Sequence, residues 1–188
     1  MKFVISVFFI LICSNLYADK GLVTNLELPR FVSLKSNDVN LRVGPSINYP
    51  IKLKFIQINL PVEIIEEFDV WRKIVDYENN TGWIHKSLLQ GDRFVLILNE
   101  SRKNKNIYNR PNGEIIGLIK TKNIFKLQVC LIKWCYISHK KIKGWVTKDN
   151  IWGVYENELY NISFFQPLIN QYWKILDNKF FINIEKNN

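Results

Sequence analysis

Two cysteines, Cys130 and Cys135, bracket a run containing Trp134 in "VCLIKWCYIS". Thiols at this spacing can form a disulfide, half a metal site or a redox pair, or be two unrelated buried side chains. Other residues able to do chemistry are few. The two histidines are His85 in "GWIHKSLL" and His139 in "SHKKIKG". They fall in separate stretches with no partner pattern, and both read as surface residues. A thiol hydrolase needs a reduced cysteine beside a positioned histidine, which an oxidising compartment opposes. The carboxylates of "EIIEEFD" (Glu63, Glu66, Glu67 and Asp69) cluster toward a turn and read as a solvated face. There is no phosphate loop, dinucleotide fingerprint or zinc spacing. The expectation is a non-enzymatic chain with no catalytic residue, no metal and no cofactor.

The N-terminus decides how the cysteines are read. Lys2 is a short positive region, Phe3 to Cys13 is apolar except for Ser6, and a more polar stretch ends at Ala18. This is the layout of a secretory signal peptide over residues 1–18, and its apolar run is shorter than the roughly 20 residues needed to cross a bilayer. Ile12 before Cys13 is too large for a lipoprotein signal. Cleavage removes Cys13 and leaves an even pair in an exported protein, which reads first as a disulfide. After cleavage the chain is not an integral membrane protein. The formal net charge of +9 favours anionic polymers or membrane surfaces, and export sets nucleic acid aside. That charge follows from a composition rich in Lys, Ile and Asn, so by itself it names no partner.

The elements that must position these residues are short and β-rich. Runs such as "VNLRVGP", "PIKLKF" and "VWRKIVDYE" are dominated by β-branched and aromatic residues and punctuated by Gly, Pro, Asn and Asp. The pattern occurs twice. "VWRKIVDYENNTGWIHKSLL" and "KWCYISHKKIKGWVTKDNIW" align Trp71 with Trp134, Gly82 with Gly144, and Trp83 with Trp145. A large aromatic fills much of a small core, and a glycine before the second Trp permits a sharp turn or close approach. Arg42 and Arg110 fall in the two equivalent openings "VNLRVGP" and "KNIYNRPNG". The reading is all-β: two tandem small barrels over 29–91 and 92–156, then a tail over 157–188. In the tail, Pro167 and the apolar residues after it predict a short helix over 166–177, packed on the second barrel.

The Asn40-Leu41-Arg42-x-Gly44-Pro45 opening, the cysteines flanking Trp134, Gly144-Trp145 and Trp152-Gly153-Val154-Tyr155 resemble exported bacterial SH3-like (SH3b) domain proteins. The resemblance is to the two-repeat, alphaproteobacterial kind, long catalogued as a domain of unknown function, and it spans about Pro29 to Glu158. It implies two SH3-like β-barrels and a periplasmic binding module for cell-wall peptides or an envelope protein. The alternative is a scaffold of the envelope that assembles through the tail helix.

A small barrel binds extended ligands with exposed aromatics between its loops. The candidates are Tyr49, Trp71 and Tyr77 in the first unit, and Tyr108, Trp134 and Tyr136 in the second. Each is also what a small core would use, and Tyr49 and Tyr108, in turn-rich stretches, are the better candidates for exposure. Arg42 and Arg110 could meet a peptide carboxylate or make structural hydrogen bonds. "FKLQVC" and "WCYIS" predict a hairpin turning at Leu131 to Lys133, with Cys130 and Cys135 opposite one another. A disulfide closing so short a loop contributes about 2 kcal/mol. In the first unit the matching places hold Glu66 or Glu67 and Arg72, where an ion pair substitutes.

Overall fold

The computed structural model describes residues 19–98 and 104–185, with side chains of the last helix to residue 176. The signal peptide expected over 1–18 lies outside the described residues. Strands β1 (Asp19–Lys20) and β2 (Glu27–Leu28) form a small antiparallel ribbon ahead of two larger curled sheets.

The first sheet comprises β3 (Arg30–Leu34), β4 (Val39–Arg42), β5 (Ile51–Phe55), β6 (Pro61–Phe68), β7 (Trp71–Val75), β8 (Thr81–His85) and β9 (Leu89–Gln90). Its strands lie in the order β5-β4-β8-β7-β6-β3-β9. The second comprises β10 (Phe94–Ile97), β11 (Lys105–Tyr108), β12 (Ile115–Ile119), β13 (Ile124–Cys130), β14 (Trp134–His139), β15 (Ile142–Thr147) and β16 (Ile151–Trp152). Its order is β12-β11-β15-β14-β13-β10-β16, the same arrangement strand for strand. The all-β expectation of SH3-like barrels with a C-terminal helix holds.

Register follows from alternation. In β4, Val39 and Leu41 are fully buried while Asn40 and Arg42 turn outward; in β14, Cys135 and Ile137 are fully buried while Trp134 and Tyr136 stay half-covered. Each sheet curls round its own apolar cluster, one built on Leu34, Leu41, Ile74 and Ile84, the other on Val95, Phe125, Ile137 and the cysteines. Gly82 and Gly144 do what their place before the second Trp predicts. A Cβ would stand 2.7 Å from the Arg42 carbonyl oxygen in one case and 2.8 Å from that of Tyr108 in the other, so β8 and β15 cross β4 and β11 closely.

The sheets are joined by polar and aromatic contacts that sequence reading did not assign. Phe31 packs edge-on against Trp152, with ring centroids 5.2 Å apart, and lies 4.8 Å from the Tyr155 ring. Trp152 Nε1 donates to the Pro61 carbonyl at 3.3 Å, and the Tyr155 hydroxyl donates to Glu63 at 2.9 Å. Burial, and then the Glu63 carboxylate, push the Tyr155 hydroxyl pKa up. Leu96 of β10 completes the first sheet's cluster.

Two cations, half-buried Arg93 and buried Lys148, lead the chain from β16 to the tail. Arg93 forms a bidentate pair with Glu158 at 2.7 and 3.0 Å and donates to the Gly153 carbonyl. The Lys148 ammonium donates to the carbonyls of Tyr155, Glu156 and Glu158, at 2.7 to 3.1 Å. Burial lowers the Lys148 pKa, against the attraction of Glu158 and Glu156. Tyr160 then exchanges backbone hydrogen bonds with Cys130. Helix α1 (Gln166–Glu185) starts where Pro167 predicts but continues past the expected end at 177, because no Gly or Pro follows to stop it.

Candidate functional site

The β13–β14 hairpin pairs Cys130 with Cys135, and the two are joined by a disulfide with Cα atoms 4.1 Å apart. The tight turn Leu131–Lys133 projects beyond it, closed by the Leu131 N–H donating to the Trp134 carbonyl at 2.7 Å. The disulfide thus fixes the base of a turn whose residues are themselves partly or fully exposed.

That turn forms one wall of a groove of about 730 Å³. Trp134 and Ile132 stand on the sheet side, Trp173, Pro167 and Asn170 on the helix side, and Leu159 and Ile162 also line it. Lys133 and Lys174 bring two cations to an otherwise mostly apolar lining. Behind Trp134, the outer face of the second sheet is aromatic. Tyr108 meets Trp134 edge-on at 5.1 Å, Tyr136 lies 5.3 Å from Trp145, and Trp145 meets Trp173 of the helix edge-on at 5.5 Å. Two Trp rings, each braced by another aromatic, give a rigid apolar surface with little entropy to lose on binding.

The sequence-predicted candidates separate on the structure. Trp134 lines the groove and Tyr108 braces it; Tyr136 belongs to the same aromatic face without reaching the groove. Tyr108 lies on a strand and is half-buried, whereas Tyr49 is 46% exposed and rests against Gly44. Trp71 is buried and meets His85 edge-on at 5.5 Å. Tyr77 packs on the first core beside a separate cavity of about 230 Å³, and burial pushes its hydroxyl pKa up to about 12. No single site therefore gathers the six. Trp173, Lys133 and Lys174, which complete the groove, escaped sequence reading; a tryptophan in the predicted helix was the available signal.

Arg42 and Arg110 lie in equivalent openings but at different places in them: Arg42 pairs with Trp83 in the register where Tyr108 pairs with Trp145. Arg42 donates to the Tyr49 carbonyl at 2.8 Å, a structural role. One expectation is corrected: Glu67 is not part of a solvated face, since its side chain is fully buried. It pairs with Arg30 at 2.5 Å and Arg72 at 3.3 Å, and accepts hydrogen bonds from the Thr24 hydroxyl and the backbone N–H groups of Val23 and Thr24. Burial raises its pKa, but the bonds from Arg30, Thr24 and Val23 outweigh this and hold it at about 2.

The matching face of the first sheet carries Arg42, Trp71, Lys73 and Trp83, where the second has Tyr108, Trp134, Tyr136 and Trp145. Lys73 lies over the Trp83 ring at 5.9 Å and pairs with Glu66 at 2.9 Å. His85 is held by Ser87 at 2.7 Å, and exposed His139 meets the Phe125 ring. Among the described residues no group of three or more His, Cys, Asp or Glu side chains is placed to hold a metal ion.

Residues 35–91, which hold β4 to β9, match the family model described as Bacterial SH3 domain. No curated protein matches the chain. Similar solved structures include NlpC2 from Trichomonas vaginalis, at 15% identity over 66% of this chain and 48% of that one, with a TM-score of 0.28. NlpC1 from the same organism is 14% identical over 70% of this chain and 48% of that one, with a TM-score of 0.29. The chain spans about half the length of these two structures.

Proposed function

We propose that this chain is a non-catalytic binding module of the cell envelope, exported to the periplasm, whose ligand is an extended peptide of the cell wall or of an envelope protein. The observation that carries the reading is the groove between the β13–β14 turn and α1, with Trp134 and Trp173 on opposite walls and Lys133 and Lys174 beside them. Tryptophans grip apolar portions of an extended chain, and lysines suit its carboxylates. A Bacterial SH3 domain in the first unit and a disulfide in the second both favour an exported setting. We divide the chain at 29–91 and 92–156, with the tail from 157 supplying the groove's second wall. The non-catalytic reading is supported by the histidines, which lie on different sheets against aromatic rings.

The test is co-sedimentation of the chain from Asp19 onward with purified peptidoglycan. Wild-type protein should pellet, and Trp134→Ala combined with Trp173→Ala should weaken pelleting about tenfold or more. Equal pelleting of the double variant would remove the groove from the binding site.

A further inference from the structure

The two sheets end at equivalent edges, β5 in the first and β12 in the second. The strands match residue for residue, "IKLKF" against "IIGLI", in the same register on β4 and β11 and with a bulge at the same place. Their burial matches too: in each, the first, second and fourth residues are exposed and the last is buried. The difference lies in the second and fourth positions. β5 has Lys52, which donates to the Thr81 carbonyl at 3.0 Å, and Lys54, which pairs with Asp38 at 2.9 Å. β12 has Ile116 and Leu118, each more than half exposed. Lysines along an open edge keep a second strand from pairing there, whereas an uncharged apolar edge is a template for one. Among the described residues no strand pairs with the outer side of β12.

We infer that the β12 edge is an interface for a second copy of this chain, the two strands pairing antiparallel about a two-fold axis at Gly117. The charges that border the strand select both partner and direction. Glu114 precedes β12 and Lys120 follows it; both are exposed, and they lie equally far from Gly117 along the chain. Antiparallel pairing through Gly117 sets Glu114 of each copy against Lys120 of the other, and Ile116 of each against Leu118 of the other. A parallel pair would set like charges together. The same operation on β5, centred on Leu53, would oppose Lys52 to Lys54 twice, which is unfavourable. Packing within one copy does not call for the glycine, because a Cβ there would meet only Ile107, at an ordinary 3.5 Å. A glycine inside a strand weakens it and often marks the close approach of another backbone. Of the neighbouring cations, Lys122 lies 4.0 Å from Glu78. The formal net charge of +9 works against association, but physiological salt screens it beyond about 8 Å, whereas Glu114 and Lys120 meet directly. The contact is isologous and uses up each β12, so assembly stops at two. Pro111 and Asn112 of the preceding turn line the groove, so the pair presents one groove near each end of the joined strands.

The test is analytical ultracentrifugation of the chain from Asp19 onward over a concentration series at physiological salt. A reversible monomer–dimer equilibrium is expected. Ile116→Lys with Leu118→Lys copies the lysines of β5 at two exposed positions. It should weaken the dimer by about tenfold or more and leave the circular dichroism melt unchanged. Glu114→Lys should also weaken the dimer, and adding Lys120→Glu should restore it, because the exchange re-forms both pairs only in the antiparallel register. Trp134→Ala with Trp173→Ala should dimerise like the wild type even if it loses peptidoglycan, which separates this inference from the groove reading. A chain that stays monomeric up to about 1 mM would overturn the inference. So would a dimer that the double lysine variant leaves intact, or a charge exchange that restores nothing. A monomer whose β12 amide signals shift only with an added extended peptide would give the edge to a different partner, and would overturn it equally.

Discussion

The β6–β7 and β13–β14 hairpins are closed at the same register position by different chemistry. Glu67 faces Arg72 in the first, and Cys130 faces Cys135 in the second, each pair next to the tryptophan that starts the returning strand. A disulfide in this buried place carries no charge and needs no further partner. A carboxylate there must be neutralised and must fill its lone pairs, or its desolvation is not recovered. The first hairpin therefore recruits Arg30 from β3 and the segment between β1 and β2, whose Val23 and Thr24 donate to Glu67. The second recruits only the backbone of Tyr160. The choice of staple explains why the N-terminal ribbon folds onto the first sheet. One staple should respond to protons and the other to reductant.

The largest effect is expected from Glu67→Gln. It leaves Arg30 and Arg72 without a counter-charge in a buried site and should cost about 3–5 kcal/mol in urea denaturation. A loss below about 1 kcal/mol would show that the charge cluster is not the staple. Cys130→Ser with Cys135→Ser, or reduction of the wild type, should cost about 2 kcal/mol at neutral pH. Non-reducing mass spectrometry of the chain from Asp19 onward should find the linked pair. Free thiols at both positions would contradict it.

Acid should separate the staples further. The Glu67 pKa lies at about 2 in the fold and at the ordinary 4.5 when unfolded, so its contribution is complete above 4.5 and is lost as pH falls from there toward 2. About 3 kcal/mol should disappear across this window. The slope of stability against pH there should flatten in Glu67→Gln and persist in the double cysteine variant, as measured by denaturation at a series of pH values.

What was legible in the sequence depended on whether the decisive partner was near. The Trp and Gly-Trp spacing identified equivalent strands, and two cysteines flanking a short turn between strands had little choice but to face each other. Glu67 was misread because a bulge between Ile64 and Glu66 shifts the alternation of β6. Without it Glu67 would point outward; with it Ile65 and Glu66 are exposed and Glu67 turns in. Its partners also come from Arg30 and Thr24, far back along the chain, and no local pattern reports them. The Trp152-to-Tyr155 motif was visible in the sequence. Its role was not, because its partners Phe31, Pro61 and Glu63 belong to the other sheet. Trp173 was hidden for a similar reason: a helical period predicts a helix, but not which of its aromatics meets Trp145.

The same comparison between sheets bears on binding. The tryptophan face of the first sheet is flanked by Arg42 and Lys73, each held by its own partner, while that of the second is aromatic and opens into the groove under α1. The most direct measurement is a titration of the isotope-labelled chain with a soluble muropeptide, following the indole N–H signals of the six tryptophans by NMR. Saturable shifts at Trp134 and Trp173, with Trp71 and Trp83 unmoved, are the predicted result. Shifts confined to Trp71 and Trp83, or no saturable shift at any tryptophan, would contradict the assignment of the groove as the binding site.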